Sequence, residues 1–357
     1  MRVVLCGYYG MGNGGDEALL ATLLQRLPPG VTPIVLSGNP TETRQRYGVW
    51  AVPRKDGWAV LRSLRSAQGF VWGGGSLMQD ATSRWSPVYY GGLMLMAQAL
   101  GLKTVAWGQG IGPLNRGLSR WLARRCFRGC TAVSVRDRPS LEQLQRWGRS
   151  DGLLAPDPVW ALRTPDLVTR PHDRDRRVAV ALRPHGSLSP ARWAALGEGL
   201  ARFQAQTDAH LVFLPFQPSR DRPPLEDLLP RLRQGSFEII EEPNPTLLKA
   251  QFRTCCFAIA MRLHGAIAAA AEGCHGFALS YDPKVAALAM DLGWPGFDLT
   301  AISTDLPPFP EDPAAIAQAW TDAYRQGRPL SAQVRGDYRD RAGQHGDLLA
   351  QALTEFP

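Results

Sequence analysis

Three short apolar runs in the first half of the chain each lead directly into a glycine-rich loop. The segments read GYYGMGNGGDE from Gly7, WGGGS from Trp72 and WGQGIGP from Trp107. A short apolar run without polar alternation is typical of a parallel strand whose two faces are both covered by helices. Parallel strands need crossover connections, and glycine lets the backbone turn tightly where a strand ends. The pattern therefore predicts a doubly wound α/β domain.

The alternation of strand and helix signals continues through the chain. In the first half it predicts strands at 3–6, 33–36, 69–72, 104–107 and 132–135, and helices at 16–27, 89–100, 119–127 and 140–147. In the second half it predicts strands at 178–182, 211–215, 257–260 and 277–280, and helices at 190–206, 225–232 and 265–272, with another helix beginning near Lys284.

The domain organisation follows from length and from one change in composition. At 357 residues the chain is too long for one ordinary core. The polar, proline-containing segment RTPDLVTRPHDRDRR predicts a linker. We therefore expect two Rossmann-like domains that face each other across a cleft. The expected boundaries are 1–165 for the first domain, 166–176 for the linker, 177–313 for the second domain and 314–357 for two amphipathic C-terminal helices.

The composition excludes several classes of protein. The net charge is +8, but the arginines are spread along the chain and no basic helix stands out, so nucleic-acid binding is not predicted. No apolar run approaches the ~18 residues that span a bilayer. The six cysteines show no CxxC spacing, and a strand begins directly after the N-terminus where a signal peptide would lie. We expect a cytoplasmic protein with reduced cysteines and no zinc.

The first glycine loop contains the spacing GxGxxG at Gly10, Gly12 and Gly15. A dinucleotide site would also need an acidic residue at the end of the second strand, and the sequence there is LSGN. Asp16 and Glu17 would repel a pyrophosphate at the start of the helix. NAD is therefore not expected, although a cofactor with a 2′-phosphate stays open. Asp16 is either the N-cap of that helix or, with Glu17, a group that binds or deprotonates hydroxyls.

Arg262, His264 and Lys284 follow two successive strands of the second half. Ligands bind at the carboxyl ends of the strands in an open α/β sheet. An arginine, a histidine and a lysine at that edge suit an anion next to a proton-transfer group. The alternative for His264 is a core histidine bonded to backbone, which its two cationic companions make the weaker interpretation.

Several other polar residues end predicted strands. Arg136 either binds an anion or forms a local ion pair with its neighbour Asp137. Arg183 closes the strand at 178–182, and the remaining strand-end residues are Asp157, Gln217 and Asp221. Backbone N–H groups of the glycine loops, with Gln109 beside them, suit a phosphate or a sugar.

The ordered set of motifs resembles the polysaccharide pyruvyl transferases, particularly the bacterial cell-wall branch. The motifs are GYYGMGNGGDEA, WGGGSLMQD, WGQGIGP, VSVRD, PDPV, FLPFQ, MRLHG and YDPK, and they extend from residue 3 to about residue 295. The resemblance implies a GT-B-like fold and transfer of a pyruvyl group from phosphoenolpyruvate to a sugar, as a ketal. It matches Arg136, His264 and Lys284 to donor positions and the loop from Gly12 to Glu17 to the acceptor side.

These lines together give a set of candidate site residues. The expected catalytic residues are His264, Asp16 and Glu17; the expected donor-binding residues are Arg136, Arg262, Lys284 and Arg183; and the expected acceptor-binding residues are Gly12, Asn13, Gly14, Gly74 and Gln109. Cationic side chains can stabilise the developing charge, so neither a metal nor a cofactor is required.

Two other functions remain open from the sequence. A glycosyltransferase of the same architecture would use a nucleotide-sugar donor and need a ribose-binding carboxylate, for which Glu272 is the candidate. A non-catalytic glycan- or anion-binding protein is the second alternative. For the main interpretation, the partners are phosphoenolpyruvate and an amino-sugar glycan. Whether that glycan is lipid-linked, which would place the enzyme at the inner membrane face, and the oligomeric state both stay open.

Overall fold

The structure is a computed structural model that describes residues 1–81, 83–300 and 305–354. The chain forms two compact units. Unit 1 contains Met1–Arg163 together with the chain from Asp337 onward, and unit 2 contains Thr164–Gly336. Each is an α/β unit built on a parallel sheet, so the predicted fold class is confirmed.

Unit 1 is built on a parallel sheet with the strand order β3-β2-β1-β4-β5-β6-β7 in its described part. Its strands are β1 Arg2–Cys6, β2 Thr32–Ser37, β3 Trp50–Pro53, β4 Gly69–Trp72, β5 Lys103–Gln109, β6 Ala132–Val135 and β7 Leu153–Leu154. Its first six helices are α1 Gly14–Gln25, α2 Pro40–Tyr47, α3 Gly57–Arg65, α4 Ser86–Ala99, α5 Gly117–Gly129 and α6 Arg138–Arg146.

Two apolar layers cover the two faces of this sheet. In β1, Val4 and Cys6 belong to one layer, and Val3 and Leu5 belong to the other. Successive strand residues point to opposite faces, and every residue of a strand covered on both sides is therefore apolar. This explains why the strands appear in the sequence as continuous apolar runs.

Unit 2 repeats the arrangement with the strand order β10-β9-β8-β11-β12-β13 in its described part. Its strands are β8 Arg177–Ala181, β9 His210–Phe213, β10 Phe237–Ile239, β11 Phe257–Ala260, β12 His275–Ser280 and β13 Gly296–Asp298. Its helices are α7 Pro190–Thr207, α8 Pro218–Glu226, α9 Pro245–Gln251, α10 Leu263–Glu272, α11 Pro283–Leu292 and α12 Pro313–Gln326, and α13 Ala332–Thr354 follows.

The predicted strands all form, and each end agrees to within two residues. The outer strands β3, β7, β10 and β13 were not predicted, because they are two to four residues long and give little apolar signal. The helix predicted at 225–232 was wrong. The helix there is α8, which begins at Pro218 because the Asp221 carboxylate accepts the N–H of Gln217 at 2.9 Å and closes its first turn.

The C-terminal helices divide between the two units. Ile316, Ala317 and Trp320 of α12 lie in the core of unit 2. Leu349 and Leu353 of α13 lie in the core of unit 1. The compact units therefore differ from the predicted division, which kept 314–357 as a separate segment, because each helix buries its apolar face in a different core. Residues 355–357 of that segment lie outside the described residues.

None of the helices in the described part of the chain has the length and apolarity needed to cross a bilayer.

The packing of α13 generates a stability prediction. Leu349 is fully buried between α13 and the sheet of unit 1. Replacing a buried leucine by alanine removes apolar contacts and leaves a cavity. We expect Leu349→Ala to lower the free energy of unfolding by about 2–5 kcal/mol. Gln344→Ala, an exposed position on the same helix, is the matched control and should change it little. Urea denaturation checks both, and equal effects would contradict this packing.

Candidate functional site

Three loops meet at the carboxyl edge of the unit 2 sheet. β11 lies between β8 and β12, and all three strands are parallel. Arg183 follows β8, His264 follows β11 and Lys284 follows β12. The topology therefore brings three predicted site residues to adjacent strand ends.

The loops after β8 and β12 touch each other across the end of β11. The Arg183 guanidinium donates to the Tyr281 hydroxyl at 2.9 Å, and its central carbon lies 4.9 Å from the centre of the Tyr281 ring. The His185 ring packs on the same tyrosine, 4.8 Å between centres. Burial, assisted by the Arg183 charge, lowers the pKa of His185. Tyr281 thus holds Arg183 beside the strand end from which His264 follows.

His264 and Lys284 occupy equivalent positions, each the second residue of a helix that starts at this edge. Both side chains are half-buried. Asp282 caps the helix of Lys284, accepting its backbone N–H at 3.0 Å. A helix N-terminus carries partial positive charge. The N-termini of α10 and α11 lie at the same sheet edge as the cationic side chains of Arg183 and Lys284. The edge is chemically suited to a small, highly charged anion with an imidazole next to it.

Arg262 has a different role from the predicted one. Its side chain is buried and donates to the Asp221 carboxylate, which is itself 1% exposed. Because that carboxylate compensates its charge inside the fold, Arg262 is not set up to bind the donor. The pair instead ties the start of α8 to the start of α10, and so it positions His264.

The carboxyl edge of the unit 1 sheet carries the glycine loops. Glu17, predicted as catalytic, is buried there. Its carboxylate accepts the N–H of Gly10 at 2.7 Å and the Tyr47 hydroxyl at 2.9 Å, and it lies 3.4 Å from Arg46. Burial raises its pKa, and these three partners oppose that shift. Glu17 therefore holds the first glycine loop and is not placed to act on a substrate.

Asp16 lies in the first turn of α1, where it is half-buried, and it is not the N-cap. Asn13 is the cap: its side-chain oxygen accepts the N–H of Gly15 at 3.2 Å, and its amide donates to Asp16. A Cβ atom at Gly75 would lie 3.7 Å from the Asp16 carboxylate. Asp16 thus lies beside the second glycine loop. Gly12 is exposed with φ +68°, and Gly14 begins α1.

Two predicted acceptor-binding residues are used for packing instead. Gln109 is fully buried, and its side-chain amide donates to the carbonyl of Gly73. A Cβ at Gly74 would lie 2.5 Å from the Cδ2 atom of Leu19 in α1, so a larger residue there would require the buried Leu19 side chain to move. The Gln109 bond holds the second and third glycine loops together, and the Gln109 side chain is buried in that contact.

Arg136 is also compensated within unit 1. It pairs with Asp157 at 2.5 Å and donates to the Ser76 hydroxyl at 3.1 Å. Asp137, its predicted alternative partner, instead caps α6 by accepting the Ser140 N–H at 2.9 Å. Arg136 thus joins the loops after β4 and β6, and its binding of the donor stays a prediction.

Arg54 is a residue of this edge that the sequence analysis missed. It follows β3, and its guanidinium lies 4.9–5.6 Å from the ring centres of Tyr8, Tyr89 and Tyr90. It donates to the Tyr90 hydroxyl at 3.0 Å. Since β3 was not predicted, Arg54 could not be placed at a strand end. A guanidinium with three tyrosine rings and the neighbouring glycine loops offers stacking and hydrogen-bonding groups of the kind that bind sugars.

Among the described residues, no cluster of three or more histidine, cysteine, aspartate or glutamate side chains could hold a metal ion.

Comparison with known proteins places the chain in a family. The family model described as polysaccharide pyruvyl transferase matches residues 13–283, most of the chain. The chain belongs to the polysaccharide pyruvyl transferase family. The motifs that carried the resemblance thus indicated the family correctly. No curated protein shows significant sequence similarity to the chain.

Solved structures with similar folds act on nucleotide sugars or transfer sugars. UDP-GlcNAc 2-epimerase from Neisseria meningitidis superimposes with a TM-score of 0.64 at 10% identity, covering 99% of both chains. The enzyme from Methanocaldococcus jannaschii gives 0.64 at 11% identity, again with 99% of both chains covered. The glycosyltransferase SnogD from Streptomyces nogalater gives 0.55 at 19% identity and the same coverage. These similarities confirm the GT-B-like fold class.

The buried histidine His345 of α13 leads to a prediction of how the stability of the protein depends on pH. The His345 imidazole lies 2.9 Å from the Pro156 carbonyl, next to Asp157, and burial lowers its pKa to about 4. The unfolded chain therefore binds more protons than the folded one between pH 6.5 and 4. The contribution of the neutral His345 to stability should be complete above pH 6.5 and should be lost as the pH falls through this window, by on the order of 3 kcal/mol in total.

Urea unfolding of the wild type and of His345→Gln at pH 7.5 and pH 5 measures this effect. The variant has lower stability at pH 7.5 but should lose less on acidification, because one titrating group is gone. The same loss in both proteins would contradict the assignment to His345.

Proposed function

We propose that this protein transfers the pyruvyl group of phosphoenolpyruvate to two hydroxyls of one sugar, forming a ketal and releasing phosphate. The observation that supports this most strongly is the meeting of Arg183, His264 and Lys284 at one sheet edge. Membership of the polysaccharide pyruvyl transferase family supports the pyruvyl group and the glycan.

Phosphoenolpyruvate has a carboxylate and a phosphate on neighbouring atoms, with up to three negative charges. Arg183 and Lys284 provide two cationic groups, and the N-termini of α10 and α11 add backbone donors. Arg183 is held on Tyr281, so little side-chain freedom is lost when it binds an anion. Donor binding in unit 2 is assigned to these two side chains.

The chemistry requires one proton at the methylene carbon of the donor. In this proposal protonated His264 gives that proton to C3, which becomes a methyl group, as the oxygen of one sugar hydroxyl bonds to C2. That hydroxyl loses its proton to a base. The bond from C2 to the phosphate oxygen then breaks and inorganic phosphate leaves. The neighbouring hydroxyl attacks C2, loses its proton and closes the ketal.

Asp16 is the proposed base or hydroxyl-orienting group. Unlike Glu17, it is only half-buried, and it lies beside two of the glycine loops. Gly12, Asn13 and Gly14 form the loop and helix start around it, and Arg54 with its tyrosines offers a further surface for the acceptor. We propose a cell-wall or exopolysaccharide precursor containing an amino sugar as the acceptor, and the cytoplasm as the place of reaction.

The nucleotide-sugar alternative is less well supported by the local geometry. Glu272, its candidate ribose-binding group, is the last residue of α10, about 12 Å along the helix from His264. Its carboxylate pairs with Arg253 at 3.0 Å and accepts the Thr164 hydroxyl at 3.1 Å. A carboxylate engaged at the opposite end of the helix from the candidate site does not suit a ribose bound at that site.

Replacing His264 by glutamine tests the proton donor. Glutamine keeps a polar side chain of similar reach but cannot transfer the proton, so turnover should fall about 10²–10⁴-fold. The measurement is release of inorganic phosphate from phosphoenolpyruvate in the presence of a panel of amino-sugar glycans, with the product mass confirming the ketal.

The matched control is His172→Gln, which changes an exposed histidine of unit 2 and should leave turnover unchanged. Near-normal phosphate release by His264→Gln would refute its role. If UDP-sugars raise the melting temperature of the wild type and phosphoenolpyruvate does not, the result supports the glycosyltransferase alternative and contradicts the proposal.

A further inference from the structure

Helices α4 and α5 lie side by side on one face of the unit 1 sheet. The Gln98 side chain of α4 donates to the Cys126 carbonyl of α5 at 2.9 Å. At Gly91 of α4 an added Cβ would lie only 3.5 Å from the Leu122 Cβ of α5. Both helices bury their inner residues in the same apolar layer. Their outward sides therefore form one continuous surface.

The outward side of α4 is uncharged. The helix reads SPVYYGGLMLMAQA and contains no charged residue. Val88, Gly92 and Met96, spaced four residues apart, are exposed, and Trp85 just before the helix is 63% exposed. A surface helix of a globular protein normally carries charged or polar residues on this side. An apolar stripe here needs an explanation beyond folding.

The outward side of α5 combines apolar and cationic residues. Leu118 and Trp121, one turn apart, are 60% and 58% exposed. Arg124, Arg125 and Arg128 follow on exposed positions, and the helix contains no acidic residue. The sequence analysis found no basic helix because the arginines of α5 are spaced among buried apolar residues. Only the folded helix turns them to one side.

We propose that the α4/α5 face, defined by Trp85, Val88, Met96, Leu118 and Trp121 with the α5 arginines, binds the surface of an anionic lipid bilayer. Tryptophan and leucine side chains would enter the boundary between headgroups and acyl chains. The arginines would contact lipid phosphates while their stems lie along the apolar surface. Charge and hydrophobicity together match this one kind of surface.

Other occupants fit this face less well. In a symmetric dimer built on this face, each copy would cover the α5 arginines of the other with the same two helices, and α4 and α5 contain no acidic residue to pair with them. A nucleic acid would engage the arginines but leave the apolar side of α4 without a partner. The bilayer is the occupant that uses both helices.

This inference deepens the proposed function, on which it rests only for the nature of the acceptor. A membrane-bound enzyme would meet its glycan as a lipid-linked precursor. The binding itself does not depend on pyruvyl transfer, so the two proposals can fail separately.

Co-flotation of the full-length protein with vesicles tests the surface. The vesicles contain either phosphatidylcholine alone or phosphatidylcholine with phosphatidylglycerol, and no phosphoenolpyruvate is added. The wild type should float with the anionic vesicles and about tenfold less with the neutral ones. The double variants Leu118→Ser/Trp121→Ser and Arg124→Gln/Arg125→Gln should each lose about tenfold in partitioning.

Trp50→Ser, at a 68% exposed position of β3 that does not belong to this face, is the matched control and should bind like the wild type. Unchanged melting temperatures show that the variants fold. No flotation with anionic vesicles, equal flotation of all variants, or a dimer that the variants dissociate would each overturn the proposal. Phosphate release with a soluble acceptor, measured on the same proteins, should be unaffected and reports on the transferase separately.

Discussion

The buried ion pair between Arg262 and Asp221 fixes the geometry of the candidate donor site. It joins the start of α10 to the start of α8, and so it links the loops after β11 and β9. A buried ion pair does not stabilise a fold as strongly as its Coulomb energy suggests, but removing one partner leaves an uncompensated charge inside the protein. The pair positions His264, because Arg262 occupies the N-cap position of α10 and His264 lies in the first turn of that helix.

Buried polar contacts also hold the loops of unit 1, with different residues. Glu17 holds the first glycine loop through the Gly10 N–H, and Arg136 joins two further loops through Asp157 and Ser76. Gln109 bonds the carbonyl of Gly73. In both units, polar side chains near the sheet edge are buried and paired, and these contacts fix the conformation of the loops. The groups that we assign to ligands are Asp16 and Arg54 at one edge, and Arg183, His264 and Lys284 at the other.

The fold could be predicted from the sequence much further than the site. Strands such as β1 and β11 are apolar at nearly every position, and that pattern specifies a covered parallel sheet. The outer strands were missed because they are short, and the loss of β3 hid Arg54. The motif residues were recognised, but Arg262 and Glu17 were assigned to ligands. Their partners are distant in sequence, and only the structure shows that Arg262 pairs with Asp221 and that Glu17 accepts the Tyr47 hydroxyl.

The two proposals together describe an enzyme that works where a soluble three-carbon donor meets a membrane-bound glycan. Anion recognition is assigned to the carboxyl edge of the unit 2 sheet, and membrane contact to one face of unit 1. Anion recognition at the unit 2 edge is the more important of the two, because His264 can protonate the donor only if the donor binds beside it.

Calorimetric titration with phosphoenolpyruvate measures the affinity of the protein for the donor and tests this site most directly. Lys284→Gln removes one charge from the proposed site, and Lys55→Gln removes one from an exposed position of unit 1. A charge-assisted hydrogen bond predicts that Lys284→Gln weakens binding by about tenfold or more, while Lys55→Gln binds like the wild type. Equal affinities for the wild type and Lys284→Gln would place the donor elsewhere and contradict the account.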